Sequence, residues 1–319
     1  MARGRRSRPA VRVVLVATTF AVLAVLTASG TPGTPRDEDG LLPAAAAPAA
    51  AVSTLTPTPA AAVDPLVAGT PAPRAAPQQP DPLAAAAARA RRITDSTREW
   101  ASFTLADRKA GRLVGDTRTD EVTNSESVVK AWLAADLLAT AAARKRPLTG
   151  YERERMVGMI RVSDDNAAEV IWRRLGGDAS IRKMIRTCRL TDTRVYPGWW
   201  SLTQISSRDM VRLGACLTPG RGKLLGRAAS KQLLDLMRTV APSNAFGIQQ
   251  AQPAGKGVRV AVKNGWTEHG GTGLWNVNCL ALWGPDQRWV LAVTTRYPIA
   301  RGLDYGAGVC RRVTAALFP

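Results

Sequence analysis

Histidine is all but absent from these 319 residues, with His269 standing alone. A zinc site assembled from Cys and His is therefore not expected, and no motif asks for any other cofactor. Glutamate is missing over a long interval, with none between Glu169 and Glu268. Acidic residues are the minority, 25 Asp and Glu against 44 Lys and Arg, which leaves a formal net charge of +19. Such an excess can mark a nucleic-acid binder. Here it is spread as arginine, partly at the N-terminus, without a nucleic-acid motif, so a basic surface is the simpler reading and nucleic acid is not an expected partner. Large apolar side chains are nearly missing from Thr31 to about Ala88, where Ala, Pro and Thr dominate. Such a stretch cannot bury enough surface to offset its ordering entropy, and a disordered or extended linker is predicted over 31–91.

Ahead of the linker stands an export segment. Arg3, Arg5, Arg6, Arg8 and Arg12 precede an apolar run from Val13 to about Leu26, a charged n-region followed by a hydrophobic h-region. Residues 1–30 are read as a signal peptide or a membrane anchor; the run is slightly short for a spanning helix, and both outcomes stay open. No cysteine follows it, so a lipid anchor at a lipobox is not expected. The product is expected outside the cell or in its envelope, tethered to a membrane if the segment is retained. A surface this basic would be drawn to anionic envelope polymers. The folded domain is then 92–319, long enough for a real core. Its four cysteines reach a compartment where disulfides persist. Of the three possible pairings, Cys188–Cys216 with Cys279–Cys310 is the one favoured.

One short stretch carries the chemistry. Residues 124–133 read Asn-Ser-Glu-Ser-Val-Val-Lys-Ala-Trp-Leu, and Val129, Trp132, Leu133 and Leu137 recur at helical spacing, which predicts a helix to about Ala143. Residues three apart share a helix face, so Ser127 is expected beside Lys130. At the helix start, free N–H groups and the dipole favour a developing negative charge. A serine is a weak nucleophile until a base takes its proton, and a partly buried Lys can do so where Arg cannot. Because this chain draws its positive charge mainly from Arg, a Lys at that spacing is informative. The pattern recurs at Ser180-Ile181-Arg182-Lys183, behind the capping residue Asp178, and is read there as chance.

The rest of the chain supplies a frame. Strands are predicted over 99–107 and 112–117. Thr149 and Glu152 form a capping box for a helix carrying Met156, Met159 and Ile160, which ends at Ser163-Asp164-Asp165-Asn166. Ala168, Ile171, Trp172 and Leu175 line the next, which stops at Gly176-Gly177. Ile181 and Met184 mark a third, and Leu233, Leu234 and Met237 a later one. Between them, Ser206 and Asp209 start a helix ending near Leu217, with Asp209 read as a capping carboxylate. In the intervening loop Trp199 and Trp200 are read as packing or lip residues. From Gly257 the period becomes two: Val258, Val260 and Val262 alternate with Arg259, Ala261 and Lys263, which puts Lys263 and Gly265 on one face. A turn at 270–273, with His269 solvated beside it, leads into strands over 274–283 and 289–296. A last helix carries Val309, Val313 and Leu317. The pattern is α+β, an antiparallel five-stranded sheet covered by helices.

Three stations stand in order: Ser127-Val128-Val129-Lys130, Ser163-Asp164-Asp165 and Lys263-Asn264-Gly265. They resemble the Ser-x-x-Lys, Ser-Asp-Asn and Lys-Thr-Gly stations of the class A β-lactamase and penicillin-binding-protein superfamily of serine hydrolases. The resemblance covers 92–319 and implies a β-lactamase-like sandwich with a helical subdomain. It implies Ser127 as nucleophile, Lys130 as its proton acceptor and Ser163 as the relay to a leaving nitrogen. Lys263 would hold the charge balance near Ser163 and a substrate carboxylate. The backbone N–H groups of Ser127 and Trp266 would form the oxyanion hole. Asp165, Asn264 and Gly265 would border the substrate.

Two departures matter. Asp165 stands where the family has Asn, and the family's deacylating Glu has no counterpart in the loop holding Tyr196 to Leu202. The expected function is an exported serine acyl hydrolase or peptidase acting through a Ser127 acyl-enzyme on a small-molecule or peptide substrate of the cell envelope, or on β-lactam-type amides. Without the loop Glu, slow turnover of β-lactams is expected. Two alternatives stay open: a β-lactamase with an unusual deacylation base, and a catalytically degenerate envelope-binding protein.

Overall fold

In a computed structural model, which describes residues 81–220 and 224–319, strands β1 (Trp100–Asp107) and β2 (Arg112–Gly115) form a hairpin. β3 (Val122–Asn124) and β4 (Gln204–Ser206) pair as a separate two-stranded ribbon. β5 (Ala261–His269), β6 (Leu274–Trp283) and β7 (Trp289–Pro298) make a meander, and the main sheet runs β2-β1-β7-β6-β5, antiparallel throughout. The predicted export segment and most of the predicted linker lie outside the described residues. Among the described residues no helix is long and apolar enough to cross a membrane.

Because alternate residues of a strand face opposite sides, the sheet feeds two cores. One face sets Phe103, Leu105, Val262, Val277, Leu291 and Val293 against α1 (Pro82–Ser96) and α8 (Gly302–Leu317). The other sets Ala106, Ala261, Leu280, Leu282, Val290 and Ala292 against a helical layer. That layer comprises α2 (Lys130–Ala143), α3 (Gly150–Arg161), α4 (Asp165–Arg174), α5 (Asp178–Cys188), α6 (Ser207–Cys216) and α7 (Arg227–Arg238). The structure joins Cys188 to Cys216 and Cys279 to Cys310, the pairing favoured from the sequence. The first ties the end of α5 to the end of α6; the second ties β6 to α8.

Two boundaries differ from the sequence reading. The linker predicted to reach residue 91 gives way to α1 at Pro82, whose start is capped by the Asp81 carboxylate accepting the Leu83 N–H at 3.0 Å. Ala86, Ala87 and Ala90 are buried, and Arg89 donates to the Ala316 carbonyl at 3.0 Å. Alanines, weak evidence for a core by composition, bury little surface each but cost no side-chain entropy in a helix. The strand expected from Gly257 begins only at Ala261. Ahead of it the Gln249 side chain, not a neighbouring strand, meets the backbone, accepting from Val260 N at 2.8 Å and donating to Val258 O at 3.2 Å.

Candidate active site

Ser127 lies in a 3-10 turn, Glu126–Val129, that runs straight into α2. The turn is fastened before it begins: Ser125 N–H donates to Thr203 O at 2.7 Å, and the Asn278 amide donates to Asn124 O at 2.7 Å. Glu126 is held at φ +49, a backbone region that a residue with a Cβ occupies at a cost of ~1–3 kcal/mol, often at functional sites. β5 presses on the turn at Gly265, where a Cβ would stand 2.7 Å from Ser127 N and 2.8 Å from Val128 N. Only glycine permits that approach. Among the described residues, the Ser127 N–H has no hydrogen-bond acceptor and its hydroxyl has no partner.

Lys130 is wholly buried, and its ammonium spends all three donors elsewhere. They reach Ser163 O at 2.6 Å, Ser163 Oγ at 3.2 Å and Asp165 Oδ1 at 2.5 Å. The expected Ser127–Lys130 hydrogen bond is therefore not made. Ser163 sits at φ +59 between α3 and α4, so its carbonyl and hydroxyl both turn toward the lysine. Its Oγ also receives Lys263 Nζ at 3.0 Å, placing one hydroxyl between two lysines.

Burial pushes Lys130 below the usual lysine range, and the Asp165 carboxylate opposes this without reversing it. Lys263 lies well below its usual range, first through burial and then through repulsion from Lys130. Trp200 covers the Lys130 ammonium, 5.1 Å from Nζ to the ring centroid. A cavity of about 350 Å³ opens beside this cluster, lined by Ser127, Asp165, Glu169, Trp199, Trp200 and Trp266 among others.

Asn264, expected to border the substrate, faces away from Lys263 and Gly265. Its amide donates to Asn244 O and Phe246 O, each at 3.0 Å, as strand alternation requires. The recurrent pattern at Ser180 is a structural knot. Ser180 Oγ donates to Asp136 Oδ2 at 2.7 Å and Lys183 Nζ to Asp136 Oδ1 at 2.5 Å, with the Trp132 indole donating to Ser180 Oγ at 3.0 Å.

A family profile described as "Beta-lactamase enzyme family" matches residues 153–318. The chain belongs to the beta-lactamase family. The profile match takes in Ser163, Asp165 and Lys263 and begins after Ser127 and Lys130. The proposed lipoprotein LppW of Mycobacterium tuberculosis (strain ATCC 25618 / H37Rv) is 30% identical over 202 residues, 62% of this chain and 63% of LppW. Its counterpart in Mycobacterium bovis matches to the same extent. The chain thus spans 63% of the length of these curated relatives. Among solved structures, a β-lactamase from Burkholderia vietnamiensis aligns at TM-score 0.60 and 19% identity, covering 73% of this chain and 95% of that one. The ancestral class A β-lactamase GNCA aligns at 0.59 and 20%, covering 73% and 98%, and PBP-A at 0.57 and 20%, covering 72% and 95%. At such identities the likeness is one of fold, a β-lactamase-like α+β sandwich.

Within this family frame, Glu126 and Glu169, which no motif in the sequence marks, line the cavity beside Ser127. His269, expected to be solvated, is the end of β5 and its Nε2 stands 2.7 Å from Glu126 Oε1. Glu126 is itself 1% exposed and takes a further bond from the Asn276 amide at 3.3 Å. No local spacing links these residues; the sheet brings them together. Of the two tryptophans read as packing or lip residues, Trp200 is buried and packs, whereas Trp199 is exposed. Glu169 lines the cavity one helical turn after Asp165, and that i,i+4 spacing was the available signal. Asp209, read as a capping carboxylate, does not cap α6: Ser206 Oγ does so, accepting the Asp209 N–H at 3.1 Å, while the Asp209 carboxylate accepts the N–H groups of Thr191, Asp192 and Thr193 at 3.1, 2.7 and 2.8 Å. Among the described residues no cluster of three His, Cys, Asp or Glu is positioned to hold a metal.

Proposed function

We propose that the chain is an exported serine acyl hydrolase or peptidase that forms an acyl-enzyme at Ser127. The observation that carries this reading is the Ser163 hydroxyl between Lys130 and Lys263, 3.2 and 3.0 Å away, next to the cavity that Ser127 lines. Burial that lowers a lysine pKa brings its neutral, proton-accepting form within easier reach. As substrate enters, Lys130 takes the Ser127 proton while Oγ bonds to the carbonyl carbon, a contact that catalytic groups often tighten only in the complex. The oxyanion is received by the free Ser127 N–H and by Trp266 N–H on the edge strand β5. The C–N bond then breaks, and the leaving nitrogen takes its proton from Ser163, which is resupplied by the adjacent lysine.

The substrate class is an amide of the cell envelope, a peptide or a β-lactam-type ring. Two disulfides suit an oxidising compartment, and the lipoprotein designation of LppW supports an envelope location. The predicted N-terminal segment would provide export or a tether. A second reading, an envelope-binding protein without acylation, is favoured by the saturated donors of Lys130. Intact mass after incubation with a penicillin separates them: a single penicilloyl adduct, absent from Ser127→Ala, is expected. No mass increase with several acyl donors would remove the enzyme reading.

A further inference from the structure

Three carboxylates line the cavity beside Ser127: Glu126, Asp165 and Glu169. Two are committed. Glu126 is buried against His269 and Asn276, and Asp165 neutralises the Lys130 ammonium at 2.5 Å. Glu169 is held differently. Its Oε2 accepts the Trp200 indole N–H at 3.0 Å, and its Oε1 accepts Arg173 Nε at 2.6 Å. The indole is a neutral donor that orients without neutralising. Arg173 is an i,i+4 partner on the same helix, with a side chain 75% exposed, so solvent screens the pair. Each carboxylate oxygen keeps a free acceptor site, and the Glu169 side chain is 37% exposed, wet enough to hold a water.

Resting on the acyl-enzyme reading, we infer that Glu169 is the general base that hydrolyses the Ser127 ester, a carboxylate supplied from α4 instead of the 196–202 loop. Glu169 takes one proton from a water as that water's oxygen bonds to the ester carbonyl carbon. The C–Oγ bond then breaks, the proton held by Glu169 passes to Ser127 Oγ, and a carboxylic acid leaves. Atoms balance as ester plus water giving serine plus acid, with no further reactant. Trp200 is a positioning residue: the same indole that holds Glu169 covers the Lys130 ammonium, so one side chain aligns the acylating and deacylating halves of the site. The slow turnover expected from the missing loop Glu loses its premise.

The test is a chase. The protein and Glu169→Gln are each loaded with a penicillin, excess is removed, and the adduct is followed by intact mass. Gln keeps an oxygen for the Trp200 indole, and uptake of the acyl group by the variant reports that its site is folded. The unsubstituted protein clears its adduct, whereas Glu169→Gln holds it about a hundredfold longer, the usual loss with a general base. Hydroxylamine, a nucleophile that needs little help from a base, clears both adducts alike. Equal clearance in water by the two proteins would overturn the role of Glu169 while leaving acylation standing. No adduct on either would overturn the acyl-enzyme reading itself, and this inference with it.

Discussion

Lys130 donates to Asp165 across 2.5 Å from a position with no solvent exposure, while the Asp165 side chain is 79% exposed. The pair thus straddles the cleft surface, with one charge buried and its partner wet. Burial lowers the Lys130 pKa and Asp165 raises it, and burial prevails. Removing the carboxylate removes the opposing influence. Asp165→Asn should therefore lower the Lys130 pKa further, shift the pH profile of Ser127 acylation toward acid and raise the rate near neutrality. If Asp165 itself accepted the serine proton, the same substitution would abolish labelling. Acylation rates across pH for both proteins decide between them, and an unchanged profile would mean that the pair does not govern the reaction.

Gly265 tests the approach of β5 to the nucleophile turn. A methyl group there would meet Ser127 N at 2.7 Å, Val128 N at 2.8 Å and Glu126 Cβ at 2.9 Å. Two of the three are backbone atoms, and Glu126 is fixed by His269 and Asn276, so nothing nearby can yield cheaply. Gly265→Ala should lose ~1–3 kcal/mol of stability by overpacking and lose most Ser127 labelling. Denaturant melts and adduct mass measured on the same sample check both; full labelling would show that the turn can move aside.

The two Ser-x-x-Lys matches make opposite predictions. Ser180→Ala removes a hydroxyl donor from Asp136 and an acceptor from the Trp132 indole, which should cost ~1–3 kcal/mol. Penicillin labelling of the folded variant should be untouched. Loss of labelling at unchanged stability would reverse the ranking of the two motifs.

Much of the frame was legible because it obeys local periodicity. Met156, Met159 and Ile160, or Leu233, Leu234 and Met237, are buried at helical spacing, and the chain-order stations at 127, 163 and 263 identified the family. What escaped detection has physical reasons. Spacing puts Ser127 and Lys130 on one face, but a buried ammonium goes where three acceptors await it, and those lie in the 163–165 turn. Val258 and Val260 alternate as a strand does, yet Gln249 takes their backbone groups. Glu126 and His269 meet only because β5 lies beside the turn before α2. Glu169 follows Asp165 at helical spacing, but the family's pattern points to the 196–202 loop, which holds no Glu.

A carboxylate far from the cleft gives a pH dependence whose sign can be worked out. Glu152 is fully buried and accepts Arg146 at 2.7 and 2.8 Å and Arg174 at 3.0 Å, besides closing the capping box of α3 with Thr149. The Arg146 hydrogen bonds, opposed by burial, lower its pKa from 4.5 to about 2. The folded state therefore prefers the ionised form, and the unfolded chain binds a proton first as pH falls. The contribution is whole above pH 4.5 and fades as pH drops through about 2. Glu152→Gln should melt well below the unsubstituted protein near neutrality, and the gap should narrow on acidification through that window. A gap in Tm that stays constant from pH 7 to pH 2 would mean that packing, not the ion pair, holds the start of α3.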